Sequence, residues 1–148
     1  MSNLGIWNNI PSNLYAIGDI HGDFSILEHV LLDLAKVCSY NKDNKLVWNK
    51  KNDSWLVFCG DLIDRLRKRP GEINIVDDEN SDKKIITKLI ELNKEAENYG
   101  GKIIILLGNH ELLNFEHAFD YISPKGNYSN RKKDFTQGSN FSKLVANN

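Results

Sequence analysis

The chain has 148 residues, of which 41% are hydrophobic and 26% are charged, and these values predict one soluble globular domain. The formal net charge of −1 at pH 7 excludes the strongly basic surface of a non-specific nucleic-acid binder, so no nucleic-acid partner is expected. No apolar run approaches the roughly 18 residues of a membrane span, and residues 1–12 lack the features of a signal peptide. We therefore expect a cytoplasmic protein with no membrane partner.

A strand followed by a helix is predicted three times along the chain. The first strand covers Leu14–Ile17, and the helix after it covers residues 24–38, where apolar side chains recur at steps of three and four. A short apolar segment, Leu46–Trp48, is predicted to form a hairpin with the strand that follows. That second strand covers residues 55–59.

The rest of the chain continues the alternation. Residues 65–82 are polar, contain Pro70-Gly71 and predict a loop. A second helix over residues 83–98 is predicted to be capped by Ser81 or Asp82 and to end at Gly100-Gly101. Residues 103–107 are a continuous apolar run, which predicts a strand buried on both faces, and a third helix begins near Glu111. Alternating strands and helices predict an α/β fold with a largely parallel sheet.

Each predicted strand ends in glycine, and a residue able to bind a metal follows it at once. The three segments are GDIHG (18–22), GDLIDR (60–65) and GNHE (108–111). Because ligands bind beyond the carboxyl ends of parallel strands, we expect five side chains to meet there: Asp19, His21, Asp61, Asn109 and His110. Carboxylate, imidazole and amide ligands favour Mn, Fe or Zn. Asp61 follows the middle strand and is the natural bridge between two cations.

Each segment alone has a plainer explanation. One Gly-Asp pair is usually a turn, and Asp19-x-His21 can be a helix cap beside a surface histidine. Only the threefold recurrence predicts a site. Outside it, His29 and His117 are predicted to be ordinary histidines, and Arg67, Lys68 and Arg69 a solvated basic loop. The two cysteines, Cys38 and Cys59, are predicted to be reduced and buried.

The three segments, in this order, resemble the GDxHG, GDxxDR and GNHE motifs of the calcineurin-like metallophosphoesterases. GDxxDR together with GNHE resembles the Ser/Thr phosphoprotein phosphatase branch, and diadenosine tetraphosphatases of bacterial type share the same motifs. A weaker match after GNHE is similar to the Shewanella-like group of that branch: Asp120-Tyr121-Ile122-Ser123, Arg131, Phe135, Gly138-Ser139 and Leu144. The resemblance implies a sandwich of two sheets with helices outside.

The resemblance also implies a role for each matching residue. Asp19 and His21 would bind a first divalent metal ion, Asp61 would bridge two, and Asn109 would bind the second. Arg65 would hold the phosphate. His110 would protonate the leaving group, and Asp64 would orient the His110 ring and support its charge. A metal-bound hydroxide would attack phosphorus. The chain has Leu66 where the family usually has glycine, so an altered loop turn that shifts Arg65 is expected, with no ligand removed.

The family's further ligands, two histidines after GNHE and a second phosphate-binding arginine, find no match, because only His117 follows His110. Residues 1–148 are therefore expected to be a single partial domain, three βα units forming the first half of the sandwich, with at least one metal site. Three functions stay open. They are a phosphatase of phosphoproteins or small phosphate esters, weak or inactive alone; a diadenosine tetraphosphatase-like hydrolase; and a non-catalytic phosphate- or partner-binding remnant. An uncovered sheet face would favour a complementing chain or self-association.

Overall fold

A computed structural model describes residues 10–66, 79–123, 125–126 and 128–139. Its strands are β1 (Leu14–Ile17), β2 (Cys38–Tyr40), β3 (Leu46–Trp48), β4 (Trp55–Phe58) and β5 (Lys102–Ile105). Its α-helices are α1 (Phe24–His29), α2 (Asp82–Glu97), α3 (Asn109–Phe115) and α4 (Tyr128–Asp134), and a π-helical turn, Val30–Leu34, directly continues α1. No helix in these ranges has the length and apolar character that crossing a membrane requires.

The three predicted strands form one parallel sheet in the order β1-β4-β5. Leu14 pairs with Trp55 and Trp55 with Lys102, so the carboxyl ends of all three strands lie at one edge. The α/β fold class is confirmed, with β4 in the middle as the site prediction requires. The packing of helices on this sheet also follows the predicted pattern. The apolar face of α2 is buried throughout: Ile85, Ile86, Leu89, Leu92 and Ala96.

The helix predicted over residues 24–38 is wrong in its second half. Leu27 and Leu31 are buried as predicted, but Leu34 is 63% exposed, because the wider π-helical turn rotates the later residues away from the apolar face. Lys36 then takes a φ of 55°, which ends the helical path. Cys38 is buried in β2 and does not belong to the helix.

The predicted partner of Leu46–Trp48 is also wrong. This segment is β3 and pairs antiparallel with β2, the strand before it. The turn between them is local, since the Asn41 side chain accepts hydrogen bonds from the backbone N–H groups of Asp43 and Lys45. β4 already has β1 and β5 as neighbours, so the later strand is not available to β3.

Two burial predictions fail at the end of the sheet. Leu106 and Leu107, predicted to lie in the third strand, follow β5 and are 48% and 43% exposed. β5 is an edge strand among the described residues, which explains why burial on both faces is not reached. Cys59 follows β4 and is exposed, so it is not a core residue. Most of the predicted loop 65–82, with Arg67, Lys68 and Arg69, lies outside the described residues, as does Leu144.

Candidate functional site

Backbone hydrogen bonds join the first two strand-end segments. The N–H groups of Ile20 and His21 both donate to the carbonyl oxygen of Asp61, at 3.1 and 2.9 Å, and that of Gly22 donates to Leu62 at 2.8 Å. The prediction that these two segments lie together is therefore confirmed. Backbone hydrogen bonds hold them in contact.

Glycine allows the second and third segments to touch. Gly60 has a φ of 102°, and a Cβ atom there would lie 2.2 Å from the backbone nitrogen of Gly108. A Cβ atom on Gly108 would lie 2.2 Å from Asp61 Oδ1. No larger residue fits at either position without displacing the neighbouring backbone.

The Glu111 carboxyl group binds three backbone N–H groups from two segments. Its Oε2 accepts from Asp61 and Gly108, both at 2.8 Å, and its Oε1 accepts from Leu62 at 2.9 Å. Glu111 is only 1% exposed. Sequence reasoning assigned it no role. Its place at the third position of α3 signals a bond to Gly108, but nothing in the sequence indicates the bonds to Asp61 and Leu62.

Three residues of the site have left-handed backbone conformations without being glycine. The φ angles are 46° at His21, 52° at Asp61 and 69° at Asp64. Such conformations are uncommon outside glycine, and they cluster at functional sites where the surrounding structure holds them. Here the bonds from the neighbouring segments provide that support.

The His21 ring directs one nitrogen into the protein and one toward Asp19. Nδ1 lies 3.2 Å from the carbonyl oxygens of both Ile63 and Asp64, so Nδ1 carries the proton. In the neutral ring Nε2 then holds a lone pair, and it lies 3.3 Å from Asp19 Oδ2. Two electron-pair donors facing each other at this distance suit a shared cation. A backbone acceptor on the far nitrogen is also typical of metal-binding histidines. These residues therefore fit a divalent metal ion.

Asp61 lies close to both His21 and His110. One potential ligand atom from each of the three residues lies within 4.8 Å of the others. Asp61 Oδ1 accepts a hydrogen bond of 2.9 Å from the backbone N–H of His110. Asp19 is beside this group, with its side chain 56% exposed. Asn109 is exposed at the first residue of α3.

The His110 ring is bound by Asp64 from inside the protein. Its Nδ1 lies 3.1 Å from Asp64 Oδ2, which also accepts a 2.7 Å hydrogen bond from the Asn114 side chain. The Asp64 side chain is fully buried. Burial raises the pKa of Asp64 above its usual range, although the Arg131 charge and the His110 and Asn114 hydrogen bonds oppose the rise.

The rings around His110 complete its surroundings. The His21 ring meets it edge-on with centroids 4.7 Å apart, and the Tyr121 ring does so at 5.0 Å. Asn114 lies one helical turn after His110, a spacing that could have indicated the contact. Tyr121 and Arg131 belong to the weaker match after GNHE, but nothing in that match indicates their contacts with His110 and Asp64. His117 is exposed.

Arg65 is already paired within the chain. Its Nη1 donates to Asp23 Oδ2 at 2.6 Å, and the Arg65 side chain is 20% exposed. Burial raises the pKa of Asp23, but hydrogen bonds from Ser25, Ile26 and Arg65 outweigh it and hold the pKa below its usual value. The backbone N–H of Leu66 donates to Tyr121 at 3.0 Å. The backbone after Arg65 is therefore joined to Tyr121.

Comparison with known proteins places these features in one family. Residues 12–147 match the model of the calcineurin-like phosphoesterase family. The chain is 34% identical over 116 residues to Shewanella-like protein phosphatase 2 of Arabidopsis thaliana, covering 78% of this chain and 25% of that protein. It is 33% identical over 127 residues to Shewanella-like protein phosphatase 1 of Plasmodium berghei, covering 80% and 28%.

A solved structure shares the fold. The crystal structure of a cold-active protein-tyrosine phosphatase from a psychrophilic Shewanella species superposes with a TM-score of 0.54 at 20% identity, covering 91% of this chain and 36% of that one. The chain thus spans between a quarter and a third of the length of the curated relatives it matches. With motifs, sheet topology and family match in agreement, the chain belongs to the calcineurin-like phosphoesterase family.

Proposed function

We propose that this chain takes part in the metal-dependent hydrolysis of phosphate monoesters, in the manner of a Ser/Thr protein phosphatase. The observation that carries the proposal is the pair of differently held histidines, 4.7 Å apart. His21 offers a lone pair beside Asp19, whereas His110 is backed by a buried carboxylate. A cation ligand next to a proton donor is what hydrolysis of a phosphate ester needs.

Asp19, His21 and Asp61 would hold a first divalent ion, and Asp61 and Asn109 would contribute to a second. Bound there, Mn, Fe or Zn would lower the pKa of a water molecule and neutralise charge on the phosphate. The backbone bonds to Asp61 and Leu62 and the Glu111 carboxyl group would keep the Asp61 carboxylate beside the two histidines.

Arg65 would bind phosphate oxygens through its planar fork. Its Nη1 donates to Asp23 Oδ2 at 2.6 Å. Asp23 in turn begins α1, where its Oδ1 accepts from the backbone of Ile26 at 3.1 Å. The guanidinium is thereby held against a helix end and does not need to be ordered by the substrate.

His110 would give its Nε2 proton to the leaving oxygen. The alkoxide of a serine or threonine is a poor leaving group, so a positioned general acid contributes about 10²–10⁴-fold. Asp64, whose Oδ2 binds the Nδ1 of the same ring, would keep Nε2 turned toward the substrate and stabilise the ring while it carries both protons.

The domain is proposed to be incomplete within residues 1–148, with further metal ligands coming from residues outside this chain. Two observations support this proposal: His117 is the one histidine after His110, and the match covers about a quarter of the Arabidopsis relative. We therefore expect weak or no turnover by the isolated chain.

A test compares Asp61→Asn with a control, Asp43→Asn, in the exposed β2–β3 turn. With manganese and an aryl phosphate, any turnover should fall at least about a hundredfold in D61N and stay unchanged in D43N. Unchanged activity in D61N would refute the site. Turnover equal to that of a full-length relative would refute incompleteness.

A phosphate-binding module without catalysis is the second candidate, favoured by the pre-held Arg65. Calorimetry with phosphoseryl, phosphothreonyl and phosphotyrosyl peptides and with diadenosine tetraphosphate distinguishes the candidates. Binding without hydrolysis supports the module, and selective hydrolysis of the dinucleotide supports the tetraphosphatase alternative. Absence of both binding and hydrolysis would indicate a degenerate remnant.

The partner prediction rests on the sheet face that carries Leu14 and Ala16. Both side chains are exposed, and Val57 and Ile104, which neighbour Ala16 on β4 and β5, are half-buried. We propose that a complementing chain or a second copy covers this face. Analytical ultracentrifugation compares the chain with a Leu14→Lys variant: a monomer at all concentrations contradicts self-association.

A further inference from the structure

Arg131 is a buried arginine that lies between two buried carboxylates. It is on α4, with 8% of its side chain exposed, and its Nη2 lies 3.4 Å from Asp64 Oδ1. The same Nη2 donates a hydrogen bond to Asp82 Oδ2 at the start of α2. The carboxylates are 0% and 4% exposed, so neither charge is balanced by water.

The two oxygens of Asp64 have separate partners. Oδ2 accepts from His110 and Asn114, whereas Oδ1 has no hydrogen-bond partner and faces the Arg131 guanidinium as an ion pair. Rotation of the Asp64 carboxyl group would break contacts on both oxygens together. Arg131 therefore restrains the orientation of the group that holds the His110 ring.

Asp82 fixes the other end of this arrangement. A Cβ atom on Gly22 would lie 2.5 Å from Asp82 Oδ1, so the glycine of the first motif makes room for the carboxylate that anchors Arg131. A second ion pair, between Lys83 and Asp134 at 2.7 Å, joins the same two helices. The position of Arg131 is thus determined by α2 and α4, neither of which carries a proposed ligand.

We propose that Arg131 is a positioning residue for the Asp64–His110 pair, held in place by Asp82. This proposal rests on the proposed function in one respect, that His110 is the proton donor. The contacts themselves can be measured without any turnover. Removing one partner of a buried ion pair leaves an uncompensated charge. The freed Asp64 carboxylate would then turn toward other donors and release the His110 ring.

The experiment measures the Nδ1 protons of His110 and His21 by nitrogen-15 NMR on the full chain without metal. His21 is the internal reference, since its Nδ1–H donates to backbone carbonyls that Arg131 does not contact. Arg131→Met is compared with Lys132→Met, its exposed neighbour on α4. Arg131→Lys retains the charge without the fork, and R131M/D82N removes one carboxylate together with the arginine, so that a folded variant is available.

In R131M, exchange of the His110 proton with water should accelerate about tenfold or more, while the His21 proton stays protected. R131K should restore part of the protection, and K132M should equal the wild type. Unchanged His110 exchange in any folded variant without the arginine overturns the proposal. Equal loss of protection at both histidines also overturns it, because Arg131 would then serve only the fold. A selective response of His110 in a chain without phosphatase activity supports the positioning role and counts against the proposed function.

Discussion

The two sides of the candidate site are built differently. The His21 side, made of Asp19, His21 and Asp61, brings electron-pair donors together, with 3.3 Å between His21 Nε2 and Asp19 Oδ2. The His110 side, made of His110, Asp64, Asn114 and Arg131, pairs each buried charge with an opposite charge or a donor inside the chain.

This difference indicates what each side needs from solution. Acceptors that face one another repel unless a cation lies between them, so the His21 side is the one proposed to bind a metal ion. The His110 side carries its own cation in Arg131 and needs no ligand to be stable. Both sides depend on the same junction, the backbone contacts around Asp61. The predictions below distinguish changes in this junction from changes in either side.

Gly60→Ala should have the largest effect on stability, because it disrupts the junction around Asp61. The new Cβ atom would lie 2.2 Å from the Gly108 nitrogen, at a φ of 102°. We expect the free energy of unfolding to fall by about 4 kcal/mol or more, measured by urea denaturation.

Two glycine controls separate collision from backbone strain. Gly138 has a φ of 83° with open space around it, so G138A should cost only about 1–2 kcal/mol. Gly18 also has open space, and G18A should stay within about 0.5 kcal/mol of the wild type. Equal effects of G60A and G138A would contradict a close approach of the two segments.

Glu111→Gln should have the next largest effect. A glutamine amide turns N–H donors toward a backbone N–H that now bonds to a carboxyl oxygen, and each buried donor without an acceptor costs about 1–3 kcal/mol. We expect a loss of about 2–4 kcal/mol in the free energy of unfolding. Glu116→Gln, an exposed change at the end of α3, should be neutral. A neutral E111Q would show that the three bonds do not stabilise the junction.

A pair of histidine variants separates the two sides by metal affinity. His21→Ala should weaken manganese binding about a hundredfold, because it removes a ligand lone pair. His110→Asn should leave the affinity within about threefold, since His110 is proposed to carry a proton and not a metal ion. Titration calorimetry measures both, with His29→Gln as an exposed control. Equal losses in H21A and H110N would make His110 a ligand and remove the distinction.

The smallest expected effect is a difference in reactivity between the two thiols. It reports how accessible to solvent the carboxyl end of β4 is. Cys59 is exposed one residue before Gly60, whereas Cys38 is buried. Burial, with the Glu95 charge, raises the pKa of Cys38 to about 12, so its reactive thiolate is scarce at pH 8. Mass spectrometry after iodoacetamide treatment should find Cys59 modified first. Modification of Cys38 at the same rate would contradict its burial.

The raised pKa of Cys38 also predicts how the free energy of unfolding changes with pH. In the folded chain the pKa of Cys38 lies above its ordinary value of 9.0, so the unfolded chain releases this proton at lower pH. The free energy of unfolding should therefore fall as the pH rises from 9 toward 12. Cys38→Ala should reduce this slope, and an identical slope in both proteins would contradict the shift.

Local patterns in the sequence determined much of the outcome. The bounds of β1 were predicted because four apolar and aromatic residues end at Gly18, and the buried face of α2 because its apolar residues recur at helical spacing. The ends of three parallel strands must lie at one edge of a sheet. For that reason alone, residues as distant as His21 and His110 were predicted to meet.

Other features depended on tertiary structure. The π-helical turn after His29 and the pairing of β3 with β2 were not predicted, because the competing local patterns were equally apolar. The proposed roles stay predictions for all seven residues: Asp19, His21, Asp61, Asp64, Arg65, Asn109 and His110. The variants above test those of His21, Asp61 and His110.

By itself, the sequence determined which residue types follow each strand, since glycine and a polar ligand at a strand end are local features. Only the tertiary structure decided what holds them. Glu111 binds the amides of a segment some 50 positions earlier, and Arg131 lies beside a carboxylate that is still more remote along the chain. Such contacts depend on buried charge being neutralised by whichever group folding brings near, and no spacing along the chain encodes that choice.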